Sequence, residues 1–345
     1  MVPTPGADRP SGDGREVALG DEPSGYDFTF TVYTGTRNRA HTLQRPYDSL
    51  RSQTFRDFEW LVVDNESADG TEELIARWQT EADFPIRYIR HANRGHHGSS
   101  NRAVQEARGR FFCTLDSDDG AVPYALERFN ALWESIPEAD RERYSAVTAL
   151  CRQPDGTPIG DRFPTSPFDS NPSEVRYRYR IMGERWGFHR TDVMRAHPYP
   201  TVPGYVGMMS SHLVWGTIGR RYLTRYVNEY LGIVDFSGSD TLTKGTPRDP
   251  KKNAHGEMLE ARAVTDHQLR YFRYAPKDFY FKAAKYSRSA LFAGEGPLAQ
   301  FRALTHGPAR LLWLAALPLG GTIYLIERFG LGRFIPGRER RGVAR

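Results

Sequence analysis

The sequence predicts an α/β protein with a mostly parallel sheet flanked by helices, followed by a C-terminal helical and apolar extension. Between residues 28 and 119, short apolar runs alternate with segments whose apolar positions have helical spacing. Each apolar run ends in a polar loop, which is typical of strand–helix–strand units that bring their loops to one sheet edge. From residue 249 to residue 301, apolar and aromatic residues again recur near helical spacing, which predicts the extension.

Each element of the first half follows from a local pattern. β-Branched and aromatic content favours strands, N-cap residues in the turns favour helix starts, and fully apolar runs indicate buried strands. In chain order the predicted elements are a strand at 28–33, a helix at 40–52, a strand at 58–64, a helix at 72–78, a strand at 86–89, a loop at 91–101, a helix at 102–107 and a strand at 110–115.

Three carboxylates directly follow the last of these strands, where Asp116, Ser117, Asp118 and Asp119 stand in succession. In open α/β sheets this edge is where ligands bind. Carboxylates crowded together repel one another unless a cation lies among them, and hard oxygen ligands suit Mg²⁺ or Mn²⁺. The alternative interpretation is an Asp-rich turn that caps a helix.

Four loops, taken in order, resemble those of family 2 glycosyltransferases, which have a Rossmann-like GT-A fold. Thr34–Arg39 is similar to the family's Thr-Pro-Thr-Tyr-Asn-Arg, and Val63–Thr71 resembles Val-Asp-Asp-Gly-Ser-x-Asp-x-Thr. His96–Ala103 is similar to Lys-His-x-Ala-x-Asn-Arg-Gly, and Asp116-Ser117-Asp118 corresponds to the family's Asp-x-Asp. The resemblance covers roughly residues 28–126 and continues at a lower level to about residue 243.

The resemblance implies a metal-dependent, inverting transferase of cell-envelope or polysaccharide synthesis. Such an enzyme moves a sugar from a nucleotide diphosphate sugar to a saccharide or lipid-linked acceptor, with Mn²⁺ or Mg²⁺ as cofactor. It implies that Asp64 accepts a hydrogen bond from the nucleobase, that Asp116 lies near the ribose, and that Asp116 and Asp118 hold the metal. The donor-binding residues that it implies are Thr34, Thr36, Arg37, Asp64, His97, Asn101, Arg102, Asp116 and Ser117. His96 lies in the same loop, where a positive charge or a hydrogen-bonding group would help to bind the nucleotide diphosphate sugar. Two alternatives remain: Arg37 is a solvated loop arginine, and His97 is a loop histidine that is hydrogen-bonded to the backbone.

An inverting transferase also needs a base that deprotonates the acceptor hydroxyl. Related enzymes usually place a glutamate four residues before the Trp of a Val-Trp pair, and in this sequence Ser211 stands there. His212 beside it is the first candidate by pKa. Ser211 itself and Glu184 are the other candidates, with Asp192 as a further acid.

Two other functions remain open at this stage. The missing glutamate is compatible with a non-catalytic nucleotide-sugar-binding protein that keeps the fold. Gly35-Thr36-Arg37 resembles the phosphate loop of sugar nucleotidyltransferases, which release pyrophosphate rather than a nucleoside diphosphate.

The composition suggests a cytoplasmic enzyme of 345 residues. Two cysteines, Cys113 and Cys151, provide no disulfide framework, and the N-terminus lacks the apolar region of a signal peptide. The predicted organisation is a disordered tail at 1–26, a glycosyltransferase domain at 27–245 with a nucleotide half at 27–119 and an acceptor half at 120–245, a helical extension at 246–310, and an apolar segment with a basic tail at 311–345.

The apolar segment at 311–326 contains no charged residue, and an arginine-rich tail follows it. A spanning helix needs about 20 apolar residues, and Pro318, Gly320 and Gly321 predict a break in the middle. Two interpretations remain: peripheral association with the cytoplasmic membrane face, or a helical hairpin packed on the catalytic domain. The net charge of +5 owes much to this tail, and the chain lacks a basic patch with interleaved aromatics, so no nucleic acid is expected as a partner.

Overall fold

The computed structural model describes residues 25–236 and 250–330. Within them the strands are β1 (Phe28–Thr36), β2 (Phe58–Asp64), β3 (Ile86–Arg90), β4 (Gly109–Thr114), β5 (Gly120–Ala121), β6 (Tyr144–Arg152), β7 (Pro158–Ile159), β8 (Phe168–Ser170), β9 (Arg185–Arg190) and β10 (Leu223–Ile233). The helices are α1 (Gln44–Arg51), α2 (Thr71–Glu81), α3 (Gly95–Glu106), α4 (Ala125–Glu134), α5 (Pro172–Tyr177), α6 (Thr191–Ala196), α7 (His212–Ile218), α8 (Ala254–His267), α9 (Pro276–Phe292), α10 (Pro297–Ala303) and α11 (Gly307–Arg328). The predicted tail at 1–26, apart from its last two residues, and the basic tail after residue 330 lie outside the described residues.

The strands form one mixed sheet with the main order β3-β2-β1-β4-β9-β6-β10-β5. The first four strands are parallel, as the alternation of strands and helices predicts. β9 then runs antiparallel between β4 and β6, whereas β6 and β10 are parallel to each other. The carboxyl ends of β1, β2 and β4 therefore share one edge with the amino end of β9.

Helices cover both faces of the sheet, which explains the continuous apolar runs of the central strands. Alternate residues of β1 point to opposite faces: Phe30 and Val32 belong to the core that includes α1, α2 and α4 residues, and Tyr33 belongs to the core with α3, α6 and α7 residues. Cys113 and Cys151 are buried and unbonded, which agrees with the expectation that they form no disulfide.

Helix α3 begins at Gly95, so the prediction of a loop at 91–101 was wrong from that residue onward. Gly95 has a φ of +70°, and its N–H donates to Asn93 Oδ1 at 3.0 Å, which fixes the entry into the helix. Glycine and serine are weak helix formers, so the sequence pattern is that of a loop. Burial of Ala103 and Val104 against the sheet supplies the packing that short helices need.

Helix α11 runs unbroken through Pro318, so the predicted break in this segment was also wrong. A proline removes one backbone donor, and the Thr322 hydroxyl donates to the Pro318 carbonyl at 2.8 Å. Gly320 is needed for packing, since a Cβ there would lie 2.5 Å from the Ala284 carbonyl oxygen of α9. Trp313 is buried among α8–α10, and its Nε1 donates to Gln300 Oε1 at 3.1 Å. One face of a single helix, rather than a hairpin, thus packs on the helical extension.

Candidate active site

The loops after β1 and β2 are joined by hydrogen bonds at the shared edge. Asn38 takes a left-handed conformation with φ of 55°, which asparagine tolerates better than most residues. Its N–H donates to Ser67 Oγ at 2.8 Å, and its Oδ1 accepts from the Ala68 N–H at 2.7 Å. Arg37, beside it, is exposed. The two loops therefore form one rigid rim.

Asp64 ends β2 beneath this rim and is fully buried. One carboxylate oxygen accepts from the N–H and hydroxyl of Ser67 at 2.9 and 2.6 Å, and the other accepts from the Tyr88 hydroxyl at 2.6 Å. Burial and this hydrogen bond raise the pKa of Tyr88. The Asp64 carboxylate is thus held in a fixed orientation at the sheet edge.

The two predicted threonines of the first loop differ in their surroundings. The Thr34 hydroxyl donates to the Leu115 carbonyl at 2.8 Å and accepts from Trp60 Nε1 at 3.0 Å, so the sheet itself uses its hydrogen-bonding capacity. Thr36 is buried, and its hydroxyl has no hydrogen-bond partner among the described residues. Of the two, only Thr36 has a hydroxyl available to a ligand.

The aspartate-rich turn after β4 does not cap a helix. Asp119 N–H donates to the Asp116 carbonyl at 3.2 Å, and α4 begins at Ala125 without a side-chain cap. Two arginines approach Asp118: Arg39 Nη1 lies 3.8 Å from its Oδ2, and Arg45 Nη1 donates to its backbone carbonyl at 3.1 Å. The capping interpretation is therefore excluded for this turn.

The carboxylates of this turn repel one another. Desolvation, followed by the charges of Asp116 and Asp118, raises the pKa of Asp119 to about 8. Asp116 itself is exposed, and its surroundings also raise its pKa: desolvation contributes most, His96 opposes the rise and Asp118 adds to it. Several carboxylate oxygens therefore lie close together, and a hard divalent cation bound among them would offset their mutual repulsion.

The first turn of α3 faces the aspartates, but its later residues are used by the fold. His96 is close enough to Asp116 to oppose the rise in the pKa of that carboxyl group. His97 beside it is buried, and its burial lowers its pKa; its Nδ1 has no hydrogen-bond partner among the described residues. The Asn101 amide binds both backbone polar groups of Tyr199 at 2.9 Å. Arg102 is exposed and pairs with Glu106 at 2.8 Å. Asn101 and Arg102 therefore have structural partners, because the longer α3 directs them away from the sheet edge.

Strand β9 brings a second group of residues to the same edge. Its register pairs Phe111 with Arg190 and Cys113 with Phe188, so β9 begins at Arg185 near the end of β4. Trp186 is buried and donates from Nε1 to the Thr114 carbonyl at 2.7 Å. Exposed Glu184 raises the pKa of Asp119 slightly through its charge.

Asp192 lies beyond the opposite end of β9, where it forms a two-point ion pair with Arg190. Because β9 runs antiparallel to β4, Asp192 after its carboxyl end lies at the opposite edge of the sheet from the aspartates. Asp192 is excluded as an acid of this site.

His212 is the first residue of α7. Ser211 precedes this helix and makes no side-chain cap bond. Ser210 Oγ lies 3.2 Å from His212 Nδ1. Desolvation, and then the charge of Arg176, lower the pKa of His212 to about 4, with Lys282 and Arg185 adding to the effect and Glu260 opposing it. His212 is therefore neutral near pH 7.

Four charged side chains around His212 were absent from the sequence-based prediction. Arg176 and Arg185 come from α5 and β9, whereas Glu260 and Lys282 come from α8 and α9 and form an ion pair. The helical spacing of apolar residues predicted α8 and α9 but did not indicate which of their charged residues would lie near His212. Only the packing of these helices against the sheet domain brings the four side chains together.

Residues 31–191 match the family described as Glycosyl transferase family 2. A glucosyltransferase of Campylobacter jejuni, named GalNAc(5)-diNAcBac-PP-undecaprenol beta-1,3-glucosyltransferase, is 33% identical over 123 residues, covering 35% of this chain and 37% of its own. The succinoglycan biosynthesis protein ExoO of Rhizobium meliloti is 39% identical over 103 residues, covering 30% of this chain and 28% of its own. The chain thus spans about a third of the length of the first curated relatives that it matches.

The fold of the chain is similar to that of solved structures. S. aureus TarS 1-349, solved in complex with UDP-GlcNAc, aligns with a TM-score of 0.57 at 15% identity, covering 88% of this chain and 92% of its own. A second structure, of S. aureus TarS, aligns with a TM-score of 0.56 at 16% identity, covering 92% of this chain and 57% of its own. At this identity the comparison concerns the fold alone, and it confirms the predicted GT-A class.

Proposed function

We propose that the protein is a metal-dependent glycosyltransferase that moves a sugar, with inversion, from a nucleotide diphosphate sugar to a saccharide or lipid-linked acceptor. The observation that carries this proposal is the convergence of Asp64, Asp116 and Asp118 at one sheet edge within a family 2 domain. Relatives named for succinoglycan biosynthesis and for an undecaprenol-linked substrate support a role in polysaccharide or lipid-linked glycan synthesis.

The donor would lie along the edge formed by the ends of β1, β2 and β4. In this proposal Asp64 accepts a hydrogen bond from the base, the Thr36 hydroxyl and the exposed Arg37 contact the nucleotide, and Asp116 with Ser117 lies near the ribose. His97, through its unpartnered Nδ1, offers one more hydrogen bond.

The metal would be held by Asp118 and Asp116. The raised pKa values of Asp116 and Asp119, which arise first from desolvation and then from neighbouring carboxylates, support this choice, because a bound cation would favour the ionised form of both groups. When bound, Mn²⁺ or Mg²⁺ offsets negative charge on the leaving diphosphate. Arg39, whose guanidinium lies 3.8 Å from Asp118, adds positive charge at the same place.

His212 is the proposed base. Its neutral imidazole accepts the proton of the acceptor hydroxyl while the acceptor oxygen bonds to the anomeric carbon and the bond from that carbon to the diphosphate breaks. Buried Glu260 lies close enough to stabilise the imidazolium that results. Ser211 makes no side-chain cap bond, and a serine hydroxyl needs a partner to act as a base; Glu184 remains the alternative because it is exposed near the aspartates.

The direct test is product analysis with a panel of nucleotide sugars, Mn²⁺ and simple saccharide acceptors. We expect release of a nucleoside diphosphate together with an extended acceptor of opposite anomeric configuration to the donor. Release of pyrophosphate would instead identify a sugar nucleotidyltransferase, and nucleotide binding without turnover would point to a non-catalytic binding protein.

Asp64→Ala is expected to weaken nucleotide binding by about 1–3 kcal/mol, the usual effect of removing a hydrogen bond to a charged group. Calorimetry should show this loss with a nucleoside diphosphate but not with a ribose 5-phosphate fragment that lacks the base. Tyr88→Phe is the matched control, because it removes one partner of Asp64 and leaves the carboxylate in place. Equal losses for the nucleotide and the fragment would contradict the role in base recognition.

A membrane-surface location is proposed for α11. It is the one helix among the described residues that is long and apolar enough to cross a membrane, and only 22% of its most apolar window is buried. Leu311 in α11 and Phe329, the residue directly after it, are 69% and 67% exposed. An exposed apolar helix face followed by arginines suits the interface of an anionic membrane.

The full chain should therefore float with vesicles of phosphatidylcholine and phosphatidylglycerol. Leu311→Glu is expected to reduce the bound fraction at least about threefold, since burying a charge opposes the gain from apolar contact. Phe272→Glu, at an exposed position outside α11, is the control that should leave binding unchanged. Equal flotation of wild type and Leu311→Glu would show that α11 does not mediate the contact.

A further inference from the structure

Asp266, His267 and His306 lie close together at the junction between α8 and α11. Asp266 and His267 are the last two residues of α8, and His306 directly precedes α11. Each side chain offers one oxygen or nitrogen atom, and these three atoms lie within 4.8 Å of one another. The centroids of the two imidazole rings are 6.1 Å apart. The three side chains therefore form one cluster, on elements separate from the loops that follow β1, β2 and β4.

The Asp266 carboxylate is held in a fixed orientation by the chain segment before α11. The Thr305 N–H donates to both carboxylate oxygens, at 2.9 and 3.1 Å, and the Thr305 hydroxyl donates to Oδ2 at 2.8 Å. The His306 N–H donates to Oδ1 at 3.2 Å. Three donors thus occupy a carboxylate that can accept about four hydrogen bonds, which leaves one position for a further ligand.

The negative charge of this carboxylate is poorly balanced. Asp266 is 4% exposed. Within residues 25–236 and 250–330, the one ionisable group at ion-pair distance is the imidazole of His267, whose Nδ1 lies 3.8 Å from Asp266 Oδ2. Imidazoles are ordinarily neutral above pH 7, whereas buried carboxylates are paired with a cation or bound to a metal. A bound cation would therefore stabilise this junction.

The two histidines are free to act as ligands. Both side chains are exposed. Among the described residues, the hydrogen bonds of His306 all involve its backbone, so its ring nitrogens remain available. Zinc bonds of about 2.0–2.2 Å place the ligand atoms of a tetrahedral site about 3.3–3.6 Å apart. Small rotations of two exposed side chains close the cluster to that spacing.

We propose that Asp266, His267 and His306 bind one Zn²⁺ ion or a divalent transition metal with the same ligand preference. Two imidazole nitrogens and one carboxylate oxygen, with water in the fourth position, are a ligand set that Zn²⁺ uses in proteins. The set differs from the aspartates after β4, whose oxygens alone suit Mg²⁺ or Mn²⁺.

The bound ion would connect the end of α8 to the start of α11, the helix whose exposed apolar face is proposed to contact the membrane. Because the ligands come together only in the folded chain, the ion should raise the thermal stability of the protein. This site goes beyond the proposed transferase function and does not depend on it.

The test uses the untagged full chain, dialysed against EDTA and then into excess Mg²⁺, which competes for the aspartates after β4. Zn²⁺ is titrated into it by calorimetry. We expect Zn²⁺ binding that weakens at least about tenfold in His267→Ala and in His306→Ala, since even the loss of an outer-shell partner lowers metal affinity about 10–100-fold. His255→Ala is the matched control, because it removes the other histidine of α8, near the opposite end of that helix. It should bind Zn²⁺ as the wild type does.

Thermal unfolding gives the second measurement. Zn²⁺ should raise the melting temperature of the wild type and of His255→Ala, and it should raise that of the two ligand variants much less. Without Zn²⁺, both ligand variants should melt as the wild type does, because each loses an exposed side chain. Failure of the wild type to bind Zn²⁺, or Zn²⁺ affinity that is the same in the wild type and both ligand variants, would overturn the site.

Discussion

Replacing Asp118 by alanine is expected to abolish metal-dependent nucleotide binding and to lower turnover by about three orders of magnitude, the scale of losing several kcal/mol of charge stabilisation. Asp118 is the carboxylate that faces Arg39 at the edge where β4 ends, and its charge also raises the pKa of Asp119. Removing it takes away a proposed metal ligand and also one source of repulsion between carboxylates. The variant should therefore be folded at least as stably as the wild type.

Calorimetric titration of nucleotide with Mn²⁺, together with thermal unfolding, would separate these effects. Asp140→Asn is the control, because Asp140 is a surface residue that pairs only locally with Arg143 at 3.0 Å. Its affinity, turnover and melting temperature should match those of the wild type. An Asp118→Ala variant that keeps its Mn²⁺-dependent affinity would refute the metal assignment, and one that unfolds would show a structural role instead.

His212→Ala is expected to reduce turnover by about 10²–10⁴-fold, the usual contribution of a general base, and to leave donor affinity unchanged. His212 begins α7, an element separate from the loops after β1, β2 and β4, and its pKa of about 4 keeps the imidazole neutral near pH 7. A loss confined to turnover is what a residue that acts on the acceptor should give.

Two variants accompany this experiment. Asp140→Asn, again the surface control, should have wild-type turnover. Glu184→Gln tests the alternative base at the same edge as the aspartates. Wild-type turnover in His212→Ala, combined with a large loss in Glu184→Gln, would transfer the role of base to Glu184.

The nucleotide half of the fold was largely predictable because its signals are local. Continuous apolar runs such as that of β2 occur where both faces of a strand are covered, and a parallel sheet then brings the loop ends together. The position of Asp64, Asp116 and Asp118 at one edge follows from that topology. No side-chain contact was needed to predict it.

The errors arose where tertiary packing overrides local preference. The glycines and serines of α3 favour a loop, but contacts with the sheet extend the helix to Gly95 and direct Asn101 to the backbone of Tyr199. Pro318 favours a break, but the packing of α11 on α9 maintains the helix.

The charged residues near His212 could not be predicted from the sequence, for a related reason. Glu260 and Lys282 are separated by 22 positions on two helices, and they meet the cleft only through the way in which those helices dock. Neither residue belongs to a short motif, so no pattern indicated that it would lie near the base.

The central claim is that this sheet edge binds a nucleotide diphosphate through a divalent metal. Its most direct test is calorimetric titration of UDP and GDP into the full chain, first with Mn²⁺ and then with EDTA. We predict that one of the two nucleotides binds with Mn²⁺ and weakens at least about tenfold with EDTA, equivalent to about 1.4 kcal/mol. Failure of both to bind with Mn²⁺, or equal affinity with EDTA, would contradict the claim.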